Sequence, residues 1–206
     1  MKKYKSIVYW SEEDKCYLAE IPLLPGCIAD GKTKEEAIQN VNVIADEWIE
    51  TANALNREIP KPLQTFDSTS PSIEDVAKYV LQKTDAITTK KLEKLLYYCQ
   101  AWTLGWFKKE LFPQEFQAWA YGPVCKSLFD QHRGNYIANP SMFSHIGEHE
   151  FSVSEKMVID LVLKVYGDKD ADFLGNKARK GLSKEEKSNR IIEKDWMIDF
   201  YSQGQD

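Results

Sequence analysis

The sequence predicts an α+β chain in two parts, a small N-terminal sheet with one long helix and then a mostly α-helical domain. Three observations predict it. Residues 4–29 alternate short β-branched and aromatic runs with polar turns. One long apolar stripe of helical period follows, from Thr33 to about Asn56. Beyond a proline- and serine-rich seam the patterns are mostly helical.

Taken in order, Tyr4–Trp10 reads as a first strand, Ser11–Lys15 as a polar turn and Cys16–Ile21 as the return strand of a hairpin. Pro22–Gly26 (PLLPG) makes a bend, Cys27–Ala29 a short third strand, and Asp30-Gly31 a turn. Thr33 opens the long helix, with Glu36 at capping-box spacing. Ala37, Ile38, Val41, Ile44, Ala45, Trp48, Ala52 and Leu55 form its apolar stripe, and Asp46, Glu47 and Glu50 lie largely off it. A three-stranded sheet with one helix on a single face closes this pattern. A unit of that size is marginal alone and calls for a partner or a second copy.

Residues 58–72 hold three of the eight prolines and a Ser/Thr cluster. Domains are therefore expected at 1–65 and 73–206, joined by a linker at 66–72. After the linker, Ser72 caps a helix from Ile73 to Lys83, and Thr88 starts another running from Thr89 to about Phe107. On this second helix Leu92, Leu95, Leu96, Cys99, Trp102, Thr103 and Trp106 share one arc, with Tyr97, Ala101 and Leu104 nearly opposite. A helix apolar on two sides is either central in its domain or carries a contact face. Phe116–Tyr121 reads as extended, Val124–His132 as a helix, Val153–Tyr166 as an amphipathic helix stopped by Gly167. A last helix at about Glu193–Ser202 turns Trp196, Met197 and Phe200 inward.

Composition bounds the function. Of 206 residues 43% are hydrophobic and 29% charged, which is globular rather than disordered. A net charge of −5 speaks against coating nucleic acid or an anionic membrane. No apolar run reaches the roughly 18 residues of a membrane span, and the N-terminus lacks a signal-peptide pattern, so a cytoplasmic protein is expected. Cys16, Cys27, Cys99 and Cys125 form no CxxC pair and read as small buried hydrophobes, Cys16 being the most exposed.

Two stretches resemble known families. EIPLLPGCIADGKTKEEAIQNVNVIADEWIE resembles the HicB antitoxins in its hairpin, LPGC bend, DG turn and capped amphipathic helix, over about residues 1–65. That resemblance implies a degraded RNase H-like fold that neutralises a small RNA-cleaving toxin. HicB proteins usually add a ribbon-helix-helix or helix-turn-helix segment, which is not read after residue 60. LEKLLYYCQAWTLGWFKKELFPQEFQAWAYGPVCKSLFDQ resembles the Panacea domain, the SocA- or GepA-like group, over about residues 73–203. It departs from that pattern at Leu174–Arg179, so no role is carried over there. The resemblance implies a helical domain that binds toxins directly, with SocA itself acting as a proteolytic adaptor.

Other constellations weigh less. His145 and His149 with Glu148 and Glu150 have helical metal-ligand spacing but enclose Gly147 and lack a third ligand; a polar loop is preferred. Asp14, Glu20, Asp30 and Asp46 fit a remnant carboxylate set only loosely, since acids are ordinary in turns. Cys125 with His132 or His145 has only residue type behind it. The basic run from Lys177 and Arg179 to Arg190 and Lys194 fits a solvated helix surface, or contact with phosphate or an acidic protein.

The expectation is an antitoxin of a bacterial or prophage type II toxin–antitoxin system, without catalytic residue, cofactor or metal. It would bind a cognate protein toxin stoichiometrically. Tyr97, Tyr98, Trp119, Tyr121 and Pro123 are the expected contacts, being large, rigid and partly polar; Trp119 fits core or interface equally. The HicB-like part would dimerise, or add a second contact through its hairpin edge and Asp46, Glu47 and Glu50. A proteolytic adaptor or phage-associated regulator is the alternative, and nucleic-acid binding is left open.

Overall fold

A computed structural model describes residues 4–60, 70–180, 182 and 189–202. The chain divides into two compact units, one containing the described residues 4–60 and the other those from 70 to 202.

In the first unit β1 (Ile7–Ser11), β2 (Cys16–Glu20) and β3 (Ile28–Gly31) form an antiparallel sheet in the order β1-β2-β3. Register aligns Val8, Ala19 and Ala29 in one row. Strand alternation turns this row toward α1 (Lys34–Ala54), where Ala37, Val41 and Ala45 complete the core. The LPGC bend is closed by the Cys27 N–H to the Leu24 carbonyl at 2.9 Å, with Gly26 at φ +80°. Trp48 Nε1 donates to the Pro25 carbonyl at 3.1 Å and pins the bend to the helix.

Two local expectations shift. Asp30-Gly31 ends β3 instead of turning; a Cβ on Gly31 would stand 2.3 Å from the Ala37 backbone nitrogen, so glycine lets the strand end meet the helix. Thr33 caps α1 through the Glu36 N–H, and the Glu36 carboxylate accepts from the Lys32 N–H at 2.7 Å. Leu55, expected on the apolar stripe, is the C-cap residue and is exposed, because the helix has ended before it.

The second unit is built around α3 (Thr89–Phe107), buried continuously from Leu92 to Gly105. The two apolar arcs therefore mark a central helix. Around it pack α2 (Ile73–Thr84), α5 (Val153–Tyr166), α6 (Ala171–Lys180) and α7 (Lys194–Ser202). Ser72 and Ser152 close full capping boxes on α2 and α5. Gly105 lies against α7, where a Cβ would come within 2.7 Å of the Tyr201 backbone.

The extended segment expected at 116–121 is a hairpin, β5 (Gln117–Trp119) and β6 (Gly122–Val124), followed by α4 (Lys126–His132). Residues 189–192 run antiparallel beside β5, with the Ala118 N–H donating to the Arg190 carbonyl at 2.9 Å. A second small pairing joins β4 (Ile87–Thr88) to β7 (Ile137–Ala138). On α7 the inward side chains are Met197 and Tyr201; Trp196 and Phe200 are half-exposed and stack at 5.0 Å between ring centres. The inward face is set where Gly105 lets the Tyr201 backbone and Cβ come close to α3. Most of the expected linker lies outside the described residues.

Candidate functional site

The tip of the β5–β6 hairpin carries the most exposed of the expected contact residues. Tyr121 is 73% exposed, and Lys90 from the first turn of α3 sits over its ring, 4.8 Å from the centroid. Lys90 also pairs with Asp172 of α6. Trp119 is half-buried, packed on Phe129 at 4.9 Å, with its Nε1 donating to Gln117 Oε1 at 2.9 Å. Tyr136, Ile137 and Phe173 are further exposed apolar residues of this unit. Tyr136 lies at the start of α3, its carbonyl accepting the Thr89 N–H at 3.0 Å.

The other three expected contacts are not on the surface. Tyr97 and Tyr98 are fully buried, because both arcs of α3 are covered by neighbouring helices. Tyr98 donates its hydroxyl to the Leu174 carbonyl at 3.1 Å and packs on Tyr166 at 4.3 Å. Tyr97 meets Phe116 and Tyr201 edge-on. Pro123 is buried in β6.

What sequence reasoning missed is the polar layer under that hairpin. Glu93 and Lys94, adjacent on α3, are 2% and 1% exposed. Lys94 Nζ donates to the Pro123 carbonyl at 2.6 Å. Glu93 Oε2 accepts the Cys125 N–H at 2.8 Å, and Oε1 lies 2.8 Å from Nε2 of buried His132. Burial lowers Lys94 to about 8, opposed by the Glu93 charge, which favours the protonated form. Gln100 does the same for the chain before β5, donating to the Phe112 carbonyl at 2.9 Å and accepting from the Leu111 N–H at 2.8 Å. From outside, Arg179 of α6 donates to the Ala120 carbonyl at 2.6 Å.

The Cys125 and His132 pairing has no nucleophilic geometry. Burial raises the Cys125 thiol, which contacts Ser127 Oγ at 3.3 Å, while His132 is engaged by Glu93. His145 is exposed and His149 meets Phe151 edge-on, in a segment with no α-helix; Lys78 holds it through Glu148 at 2.6 Å. On the sheet, Glu20 and Asp30 alternate onto the face away from α1, which carries Asp46. Among the described residues no three His, Cys, Asp or Glu side chains gather to hold a metal ion. Asp46, Glu47 and Glu50 are exposed on α1, near a groove of about 290 Å³ lined by Ile44, Glu47, Trp48, Thr51, Ala52 and Arg57. The basic run is not one helix face. Lys177–Lys180 end α6, Arg190 runs beside β5, and Lys194 begins α7 paired to Glu110 at 2.9 Å; Lys184 and Lys187 lie outside the described residues. Cys27, Cys99 and Cys125 are buried and Cys16 is partly exposed. No helix among the described residues is long and apolar enough to cross a membrane.

Comparison with known proteins places names beside this geometry. Residues 92–181, from α3 through the hairpin to the end of α6, match the family model described as antitoxin SocA-like, Panacea domain. The N-terminal region is similar to small curated proteins. A UPF0150 protein of Synechocystis sp. is 39% identical over 57 residues, 28% of this chain and 77% of the relative. One of Thermoplasma acidophilum is 36% identical over 56 residues, 27% of this chain and 81% of the relative. A second from Synechocystis sp. is 38% identical over 56 residues, 27% of this chain and 71% of the relative. No solved structure gives a significant match.

Proposed function

Because this chain belongs to the UPF0150 family through its N-terminal region and carries a SocA-like Panacea antitoxin domain, we propose that it neutralises a cognate protein toxin by direct, stoichiometric binding. The domain match carries the proposal, supporting an antitoxin role in general and favouring binding over catalysis. The hairpin supports it physically. A large exposed aromatic on a backbone held from beneath loses little freedom when it meets a partner, which is what a tight interface needs.

The toxin contact falls on Tyr121 and Trp119, with Lys90 beside them. The first unit is HicB-like and serves for pairing with a second copy or as an additional toxin contact. For that it offers the β1 and β3 edges and the exposed acids Asp46, Glu47 and Glu50. The two compact units act as separate working modules.

Expression of the neighbouring gene of the operon, alone and together with this one, tests the proposal. Growth arrest relieved only by co-expression supports it. A toxic neighbour left fully active by this protein refutes it.

A further inference from the structure

We propose that Glu93 and Lys94 are positioning residues for partner recognition, fixing the backbone of residues 120–125 from inside the core so that Tyr121 is presented outward. The proposal rests on the reading above that a protein partner binds at the hairpin.

Three charged side chains hold this one short segment by its main chain. Arg179 takes the carbonyl of residue 120, Lys94 that of 123, and Glu93 the N–H of 125. Two of the three are buried. Burying a charge costs more than burying an apolar side chain of equal size, so packing alone would be served better by leucine or methionine. What charge-to-backbone bonds add is a fixed position, independent of the side chains that the segment displays. Glycines close the remaining freedom. Gly122 has φ +99°, and a Cβ there would lie 2.8 Å from Gly175 Cα. A Cβ on Gly175 would lie 2.6 Å from the Tyr121 carbonyl oxygen. The main chain at 121–122 thus rests directly on α6, while the Tyr121 side chain stays in solvent under Lys90. The inner side of the hairpin is over-determined while the Tyr121 ring on its outer side stays largely exposed, the arrangement of a preorganised contact.

The test uses the full chain and the purified product of the neighbouring gene, with variants K94M, E93Q, Y121A and K94M/Y121A. K94M is expected to keep a cooperative melt, to speed amide exchange at Gly122, Val124 and Cys125, and to weaken partner binding tenfold or more. E93Q keeps the shape and an acceptor and should lose less. Y121A should weaken binding at least tenfold, with K94M adding under twofold in that background because it acts through the same ring. If K94M fails to fold, R179A, which frees the Ala120 carbonyl from the surface side, must produce the same loss of binding and the same dependence on Tyr121. Multiplying effects, or unchanged exchange and affinity, overturn the proposal. A partner that binds tightly yet ignores Y121A and K94M removes the positioning role and leaves the antitoxin reading standing; a toxic neighbour that forms no complex removes both.

Discussion

Lys94 Nζ donates to the Pro123 carbonyl oxygen at 2.6 Å in a place where both residues are shut off from solvent. Its burial lowers the ammonium to about 8 from an ordinary 10.5. Between those values the unfolded chain holds the proton more firmly than the folded one, so through this residue stability rises as pH increases across that window. Urea unfolding of wild type and K94M at pH 7.5 to about 10.5 should show the difference moving in favour of wild type. A difference independent of pH would mean that Lys94 is not buried as a charge.

Glu93 satisfies two buried groups at once, the Cys125 N–H and His132. Truncation by Glu93→Ala leaves both unpaired and should cost about 3–5 kcal/mol. Chemical denaturation measures it, and a loss below about 1 kcal/mol would place the pair in solvent instead.

Gly105 and Gly122 are close-approach positions of different kinds. Gly105→Ala drives a methyl group into the Tyr201 backbone, and Gly122→Ala adds a left-handed φ penalty to a clash with Gly175. Each should cost about 1–3 kcal/mol. By contrast Gly147→Ala, with open space around it, should stay within about 0.5 kcal/mol of wild type. Thermal melts of the three separate steric from general glycine effects.

Thr33 and Ser72 test the two units separately. Thr33→Ala removes the oxygen that caps α1, and Ser72→Ala opens a reciprocal box with Asp75. Each should lower stability by about 1 kcal/mol. Where the units melt in resolved transitions, each substitution should shift only its own.

Elements whose burial follows a regular period were legible. The α1 stripe up to Ala52 and the boundaries of α3 and α5 agree with the expectations, because capping serines and threonines stand directly before apolar repeats. α6 was not anticipated. Its sequence ADFLGNKARK buries only Leu174, Gly175 and Ala178, so small residues and cations mask its packing face. Of the expected contacts, Tyr121 is exposed on the hairpin, whereas Tyr97 and Tyr98, chosen by the same criterion of residue type, are buried. A polar ring end suits a core hydrogen bond as well as an interface, as Tyr98 with Leu174 shows. Glu93 and Lys94 escaped notice, and His132 is read from sequence only beside Cys125, because charge is read as surface unless its partner is known, and their partners are backbone groups and each other, about 30 residues or more away. The one available signal was the Glu93-Lys94 pair between Leu92 and Leu95 on a helix that reads as apolar on two sides.

Occlusion of a toxin by binding is read out by titrating toxin activity. Increasing amounts of this protein are added to a fixed amount of the purified toxin from the neighbouring gene, and residual activity is measured. Activity should fall linearly to zero at a fixed molar ratio. Full toxin activity at excess, or complete loss at a small fraction of one equivalent, would contradict stoichiometric neutralisation.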